Sequence, residues 1–367
     1  MHPILPIYAI FSVMTLMGLN VRQKSERTYL WIAAWGAMSV VLLAIIFRDV
    51  RGDTRRYHWA FERMAEQSFA EMAELSDNNL LFDAIHWFLA QFGTHPLLFI
   101  VPYALFCIML MRASLRLMLG QVDTAIAIFL YSAFPFFVFY VSSGLKQALA
   151  MAILFHGYVC LFHGRRIHAV FWIGLAPLLH TGALLVYPFV ALHYLLWRPY
   201  FSQRRVLTFS ILGLFICTAL SLVGLNEPLM APFAELTETT RRYAVYFDDA
   251  DRFNYRAGFR LDFTLFSYLP LFAAWWLMRQ GRGLSLENSG WWLNLYVLLA
   301  CLYQLFAFAP FADRFAAFAW YLIPAILVIM LADSQSIKAR QVVVLSFSIL
   351  NILILQFYTG HGLHFSF

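Results

Sequence analysis

The sequence contains few charged residues. Only 13% of its 367 residues are Asp, Glu, Lys or Arg, whereas 62% are hydrophobic and 37 are phenylalanines. Soluble globular domains are about 45–50% apolar, so this composition excludes an ordinary soluble enzyme. It predicts an all-α, polytopic integral membrane protein that forms a single membrane domain over residues 1–367.

Several common signatures of catalysis are missing as well. There is no Walker loop, no GxSxG and no Rossmann fingerprint. The cysteines lie in apolar runs without CxxC spacing, which argues against disulfides and zinc sites; they are Cys107, Cys160, Cys217 and Cys301. We therefore expect no metal site and no cofactor, and the absence of a basic tail argues against a nucleic-acid partner.

The first apolar run lacks the basic segment and cleavage site of a signal peptide, so we expect it to remain as a helix.

Long apolar runs are abundant. A membrane crossing needs about 20 apolar residues, and about ten runs approach or exceed that length. They are 3–20, 28–47, 96–118, 122–140, 145–163, 206–224, 261–279, 289–308, 314–332 and 341–358. Short connections rich in Lys and Arg should be cytoplasmic, and alternation then puts both termini outside.

One further apolar run, 167–196, has basic residues at both ends. As a single helix it would be longer than a hydrocarbon core of about 30 Å. We interpret it as a re-entrant pair with a break at His180-Thr181-Gly182, because broken helices are tolerated where they line a cavity. One long tilted helix is the alternative.

About half of the lysines and arginines fall on the outer side in this topology, contrary to the positive-inside rule. Most lie in two outer loops, 48–79 and 225–260. They are Arg48, Arg51, Arg55, Arg56, Arg63, Lys146, Arg241, Arg242, Arg252, Arg256, Arg260 and Arg314. Arginine binds phosphate through a planar fork, so these residues predict a phosphate or pyrophosphate site. Pairing with nearby carboxylates would explain about half of them instead.

Individual positions suggest roles. Asp53 lies among cations, which keep its carboxylate ionised and ready to accept a hydrogen bond. Lys146 and Arg314 begin apolar helices, at the depth where a lipid-borne phosphate would lie. His180 lies at the helix break, where its side chain could donate to an anion, orient a carboxylate or bind backbone carbonyls freed by the break.

The outer loop 48–79 leads into an amphipathic segment, residues 80–92. Its apolar residues alternate with Asp83 and His86, which predicts an interfacial helix that lays the charged loop flat over the cavity.

Three passages resemble the EpsG-type branch of bacterial polysaccharide polymerases, which is grouped functionally with the Wzy O-antigen polymerases. The first is Arg51-Gly52-Asp53 followed by Tyr57. The second runs over residues 144–185, with GLKQALAMAIL, a basic turn and LLHTGALL, and the third is Asp313-Arg314 before Tyr321 and Pro324. The family usually has arginine where this chain has Lys146, which keeps the charge but loses the bidentate fork.

The resemblance implies a membrane glycosyltransferase of GT-C-like architecture, a multi-pass protein of the bacterial cytoplasmic (inner) membrane that joins undecaprenyl-pyrophosphate-linked oligosaccharide repeats. Its site would face the periplasm or cell exterior and contact membrane lipid, and a chain-length regulator and a flippase would be its protein partners. The candidate catalytic residues are Asp53 as general base or acceptor-orienting residue, Asp313 as the alternative base, and His180 as a helper. The candidate substrate-binding residues are Arg48, Arg51, Tyr57, Lys146, Gln147, Arg241, Arg242 and Arg314.

Two other classes remain open. An O-antigen ligase or another membrane transferase would use similar charges with a different acceptor. A flippase or transporter of lipid-linked oligosaccharides would also combine a broken helix with ionisable residues.

Overall fold

The elements of this computed structural model are helical, and no strand occurs among the residues it describes: 4–19, 25–47, 50, 52–76, 79–198, 200–230, 257–281 and 283–358. The helices are α1 Ile4–Gly18, α2 Ser25–Ile46, α3 Asp53–Ala65, α4 Phe69–Leu75, α5 Leu80–Ala90, α6 Leu97–Met118, α7 Gln121–Ala133, α8 Pro135–Ser142, α9 Leu145–Phe162, α10 Arg166–Leu179, α11 Tyr187–Leu196, α12 Gln203–Leu222, α13 Leu261–Ser267, α14 Leu269–Arg279, α15 Trp291–Leu305, α16 Asp313–Trp320, α17 Ile323–Ser334 and α18 Ile337–Tyr358. A 3₁₀ turn, Thr181–Val186, precedes α11, and a π-helical turn, Leu286–Gly290, precedes α15.

The helices are long and apolar enough for a membrane protein. Within the described residues, five helical stretches qualify as membrane spans by length and composition, or up to seven if two bent pairs are counted. These pairs are α7 with α8, bent by 67°, and α13 with α14, bent by 47°. The all-helical, polytopic membrane class is thus confirmed, whereas about ten crossings and the single membrane domain stay predictions.

The chain divides into two compact units, Met1–Ala183 with Gln335–Phe367, and Leu184–Ser334. In the first unit, α9 is almost entirely buried and packs against α6, α8 and α10. Helix α2 packs on α1 and α7, and α18 also contacts α1 and α7. Nearly the whole of α9 is enclosed by protein, so its polar residues must find partners inside this unit.

Two basic helix ends of the first unit lie close together. The Arg116 guanidinium lies 5.9 Å from the Trp31 ring, which puts the end of α6 beside the start of α2. Arg340 at the start of α18 binds Asp123 at the start of α7, with 2.8 Å between Nη2 and Oδ1. Helices α6 and α9 run in parallel, so Lys146 lies at the other end of this unit from Arg116.

In the second unit, α15 is the buried centre and packs against α11, α12 and α16. Ser267 joins three of its helices. Its carbonyl accepts a 2.8 Å bond from the Tyr296 hydroxyl, and its hydroxyl accepts a 2.8 Å bond from the Trp320 indole. Such bonds offset the free energy lost when polar groups leave water. Helix α12 instead leaves Phe209, Phe215 and Ile216 exposed, as suits a surface that faces lipid.

Candidate functional site

Gly52 turns the chain into α3. Its φ is +58°, a left-handed conformation that glycine adopts without the penalty of a side chain. Its carbonyl accepts bonds from the amides of Arg55 and Arg56, at 3.2 and 3.4 Å. Gly52 and Asp53 therefore begin a helix within the stretch 48–79, which was predicted to connect two membrane helices.

Asp53 occupies the first position of α3. Its side chain is 31% exposed, and its Oδ1 lies 3.5 Å from Nη1 of Arg56, whose own side chain is 79% exposed. An exposed pair three residues apart on a helix contributes little to stability. The Asp53 carboxylate is thus held at a helix start and reaches solvent.

Thr54 fixes this end of α3 to the helix before Lys146. The buried Thr54 hydroxyl donates to the Ser142 carbonyl over 3.2 Å, at the end of α8. Helix α9 begins at Leu145, one residue before Lys146. Asp53 and Lys146, predicted as site residues from separate passages, therefore lie at the same end of the first unit.

Lys146 binds a carboxylate from α5. Its Nζ lies 3.1 Å from Oδ1 of Asp83, and the side chains of the two residues are 19% and 11% exposed. The other oxygen of Asp83 accepts a 2.8 Å bond from the Ser76 hydroxyl. Charges attract each other more strongly in such a partly buried place than in water, although removing them from water opposes part of that gain.

Aromatic rings connect the Lys146–Asp83 pair to α3. The Lys146 ammonium lies 4.7 Å from the centroid of the Phe82 ring, and the Tyr57 ring packs on the same Phe82 at 5.6 Å. Two predicted substrate-binding residues thus contact one aromatic side chain. Gln147, a third, is only 4% exposed and is enclosed by protein.

His86 joins three helices beneath these residues. Its Nε2 donates to the Tyr57 carbonyl over 3.0 Å, so its Nδ1 accepts from the Tyr103 hydroxyl, 3.2 Å away. Burial lowers the pKa of His86 to about 4, against the smaller opposing effect of the Tyr57 carbonyl. The imidazole is therefore neutral at neutral pH and serves to hold α3 against α5 and α6.

His180 interrupts the apolar run 167–196 where the sequence placed a break. Helix α10 ends at Leu179, and His180 has extended backbone angles, φ −152° and ψ 108°. Its ring folds over Gly182, where an added Cβ would lie 2.8 Å from Nε2. The next amide, Thr181, donates to the Asn79 side chain over 3.3 Å, at the start of α5. The re-entrant course of the pair stays a prediction.

Asp83 and His86 are the residues of this cluster that sequence reasoning missed. A helix occupies this segment, and the protein encloses most of the Asp83 and His86 side chains, whereas Leu80 and Phe88 are exposed. The spacing of three residues between Asp83 and His86 puts them on one helix face, and that face packs on α3 and α6 instead of meeting water.

The second unit holds the remaining described candidates. Asp313 and Arg314 begin α16, and the Arg314 guanidinium lies 4.9 Å from the Phe311 ring. Arg260 pairs with Asp262 through two bonds, of 3.2 and 2.5 Å, as expected for an arginine with a structural role. Four candidates lie outside the described residues: Arg48, Arg51, Arg241 and Arg242.

The described part of the chain contains no group of three or more His, Cys, Asp or Glu side chains that could hold a metal ion. In the first unit, Lys146 contacts the carboxylate of Asp83, and the carboxylate of Asp53 lies at the same end of the helical bundle. Such a set can bind an anion and accept a proton.

Comparison with known proteins gives one match. No curated protein and no solved structure matches the chain. The EpsG family model matches residues 29–366, nearly the whole length. This match covers all three passages in which the resemblance was found, and the chain belongs to the EpsG family.

Proposed function

We propose that this protein polymerises a bacterial polysaccharide. It would transfer a growing glycan from undecaprenyl pyrophosphate to a sugar hydroxyl of a second lipid-linked repeat, at the outer face of the cytoplasmic membrane. Membership of the EpsG family supports a membrane glycosyltransferase role of this kind. The observation that carries the proposal is the cluster in which Lys146 and Tyr57 contact Phe82, with Asp53 one helical turn before Tyr57.

The reaction makes two main demands on the site. The bond between the anomeric carbon and the pyrophosphate oxygen breaks, so negative charge develops on the leaving pyrophosphate. Lys146 is suited to stabilise that charge, and Arg314 is a second candidate. A bond forms from the acceptor oxygen to the same carbon, and the acceptor proton passes to a base, for which we assign Asp53. His180 would help to orient the acceptor.

The test is chain extension in cells. A strain that lacks the gene should carry single repeats instead of long chains, and the wild-type gene should restore the long chains. Asp53→Asn keeps the size of the side chain but removes the base, so it should not restore them. The glycan profile, read by gel electrophoresis, measures the outcome.

Glu62→Gln is the matched control, because it removes one negative charge from an exposed position of the same helix. This variant should restore long chains. Near-normal polymer from Asp53→Asn, with equal protein in the membrane, would contradict the role of Asp53. A deletion strain that lacks even single repeats on its surface would favour a flippase or ligase instead.

A further inference from the structure

The carboxylate that holds Lys146 was not among the expected site residues. Asp83 uses one oxygen for the Lys146 ammonium and the other for the Ser76 hydroxyl. In this structure Lys146, which was predicted to bind phosphate, is thus paired with a carboxylate of the protein itself. A phosphate that binds Lys146 therefore meets a cation whose charge Asp83 already balances.

The geometry of the Lys146–Asp83 pair allows Lys146 to exchange Asp83 for a ligand. Neither side chain is fully buried, at 19% exposure for Lys146 and 11% for Asp83, so water and a ligand can approach. A lysine ammonium is a compact charge on a flexible stem and can change partners without a fixed geometry. Asp83 keeps its bond to Ser76 when Lys146 leaves, which lowers the free energy of the separated state.

The charges favour a pyrophosphate over the carboxylate. Asp83 carries one negative charge, whereas a pyrophosphate group carries more, and the attraction to an ammonium grows with that charge. The competition still weakens ligand binding, because the pair with Asp83 must be broken first. The same competition speeds release of the carrier pyrophosphate after transfer.

We propose that Asp83 is an internal competitor for Lys146, which exchanges this carboxylate for the pyrophosphate of the lipid carrier and returns to it when the carrier leaves. This inference rests on the proposed function. It assigns Asp83 a role in setting the affinity of the site, without contact to the reacting sugar.

The experiment is a binding titration on the full chain purified in detergent. The probes are inorganic pyrophosphate and farnesyl pyrophosphate, a short prenyl analogue of the carrier. Asp83→Asn should bind both about tenfold more tightly than the wild type, because the competitor has lost its charge. Lys146→Gln should bind both about tenfold more weakly.

The double variant gives the sharpest test. Without Lys146 there is no cation to release, so Asp83→Asn combined with Lys146→Gln should bind like Lys146→Gln alone. Glu62→Gln, which changes the net charge equally on the neighbouring α3, should bind like the wild type. Should Asp83→Asn fail to fold, Asp83→Ser removes the same charge and keeps a partner for the Ser76 hydroxyl.

Unchanged or weaker binding by Asp83→Asn would overturn the exchange, as would tighter binding that persists without Lys146. In either case, long chains made by the wild type in cells would leave the proposed function in place, and only the exchange between Asp83 and pyrophosphate would be refuted. Equal wild-type affinity for the two probes would instead contradict a lipid-borne ligand and with it the proposed function. A tenfold gain in Asp83→Asn would still support the exchange in that case.

Discussion

His86 shows how much one buried residue can organise at this site. The rings of Phe61, Phe82 and Phe99 surround it, with centroids 4.8 to 5.2 Å from its own. Its two nitrogens bind groups on α3 and α6. A charged imidazolium would lose its hydration among these rings, so this contact requires the neutral form.

The titration of His86 predicts a pH dependence of stability. Burial lowers the pKa of His86 to about 4 in the folded protein, whereas an unfolded histidine has a pKa of about 6.5. Between these values the unfolded chain binds a proton that the folded chain does not. The stabilisation is complete above pH 6.5 and falls, by up to about 3 kcal/mol, as the pH decreases to about 4.

Unfolding of the purified protein in detergent between pH 4 and pH 7 measures this effect. His86→Gln can still donate to the Tyr57 carbonyl but does not titrate, so its stability should change less with pH than that of the wild type. His95→Gln, at an exposed position, is the control and should follow the wild type. The same pH dependence in His86→Gln would refute the assignment.

At the scale of elements, one carboxylate organises the start of α15. Asp333, near the end of α17, accepts bonds from the amides of Ser285 and Ser289, at 3.2 and 3.3 Å. It also accepts from the Asn288 side chain, at 2.9 Å, and from the Ser289 hydroxyl. The π-helical turn before α15 is therefore held by a residue from a distant helix.

Loss of this carboxylate should destabilise the second unit. We expect Asp333→Ala to lower the free energy of unfolding by about 2–4 kcal/mol, because several donors lose one charged acceptor. Asn288→Ala removes a single one of these bonds and should lower it by only about 1 kcal/mol. Denaturant titration in mild detergent compares the two, and equal losses would show that Asp333 does not act as a shared acceptor.

The helices themselves were largely predictable from hydropathy, and their interruptions only in part. The run 122–140 is broken where Phe134 takes an extended conformation before Pro135, as expected of a residue that precedes proline. The run 261–279 bends just before Pro270. The charged stretch after Gly52, predicted only as a connection between membrane helices, forms α3, and most of its charges lie on an exposed helix face.

At the scale of the whole molecule, the first unit has two chemically different ends. One end collects Arg116 and the Arg340–Asp123 pair. The other carries Asp53 and Lys146. The positive-inside rule assigns the first end to the cytoplasm, and the proposed reaction needs the second end on the outer face.

Cysteine labelling tests this orientation. In a variant without its native cysteines, Thr94→Cys lies between α5 and α6, near the proposed site, and Arg165→Cys lies between α9 and α10. A membrane-impermeant maleimide should label the first in intact cells and the second only after permeabilisation. The reverse pattern would put Lys146 on the cytoplasmic side and contradict the proposed outer site.

The sequence by itself determined the membrane class, the approximate helices, the break at His180 and the family, because hydropathy, helix breakers and short motifs are local properties of the chain. Only the tertiary structure decided which polar side chains meet. Asp83 and Lys146 are 63 residues apart in sequence, and the same helix pattern would allow Asp83 to face either water or protein. That choice depends on how α3, α5, α6 and α9 pack, and no local pattern contains it.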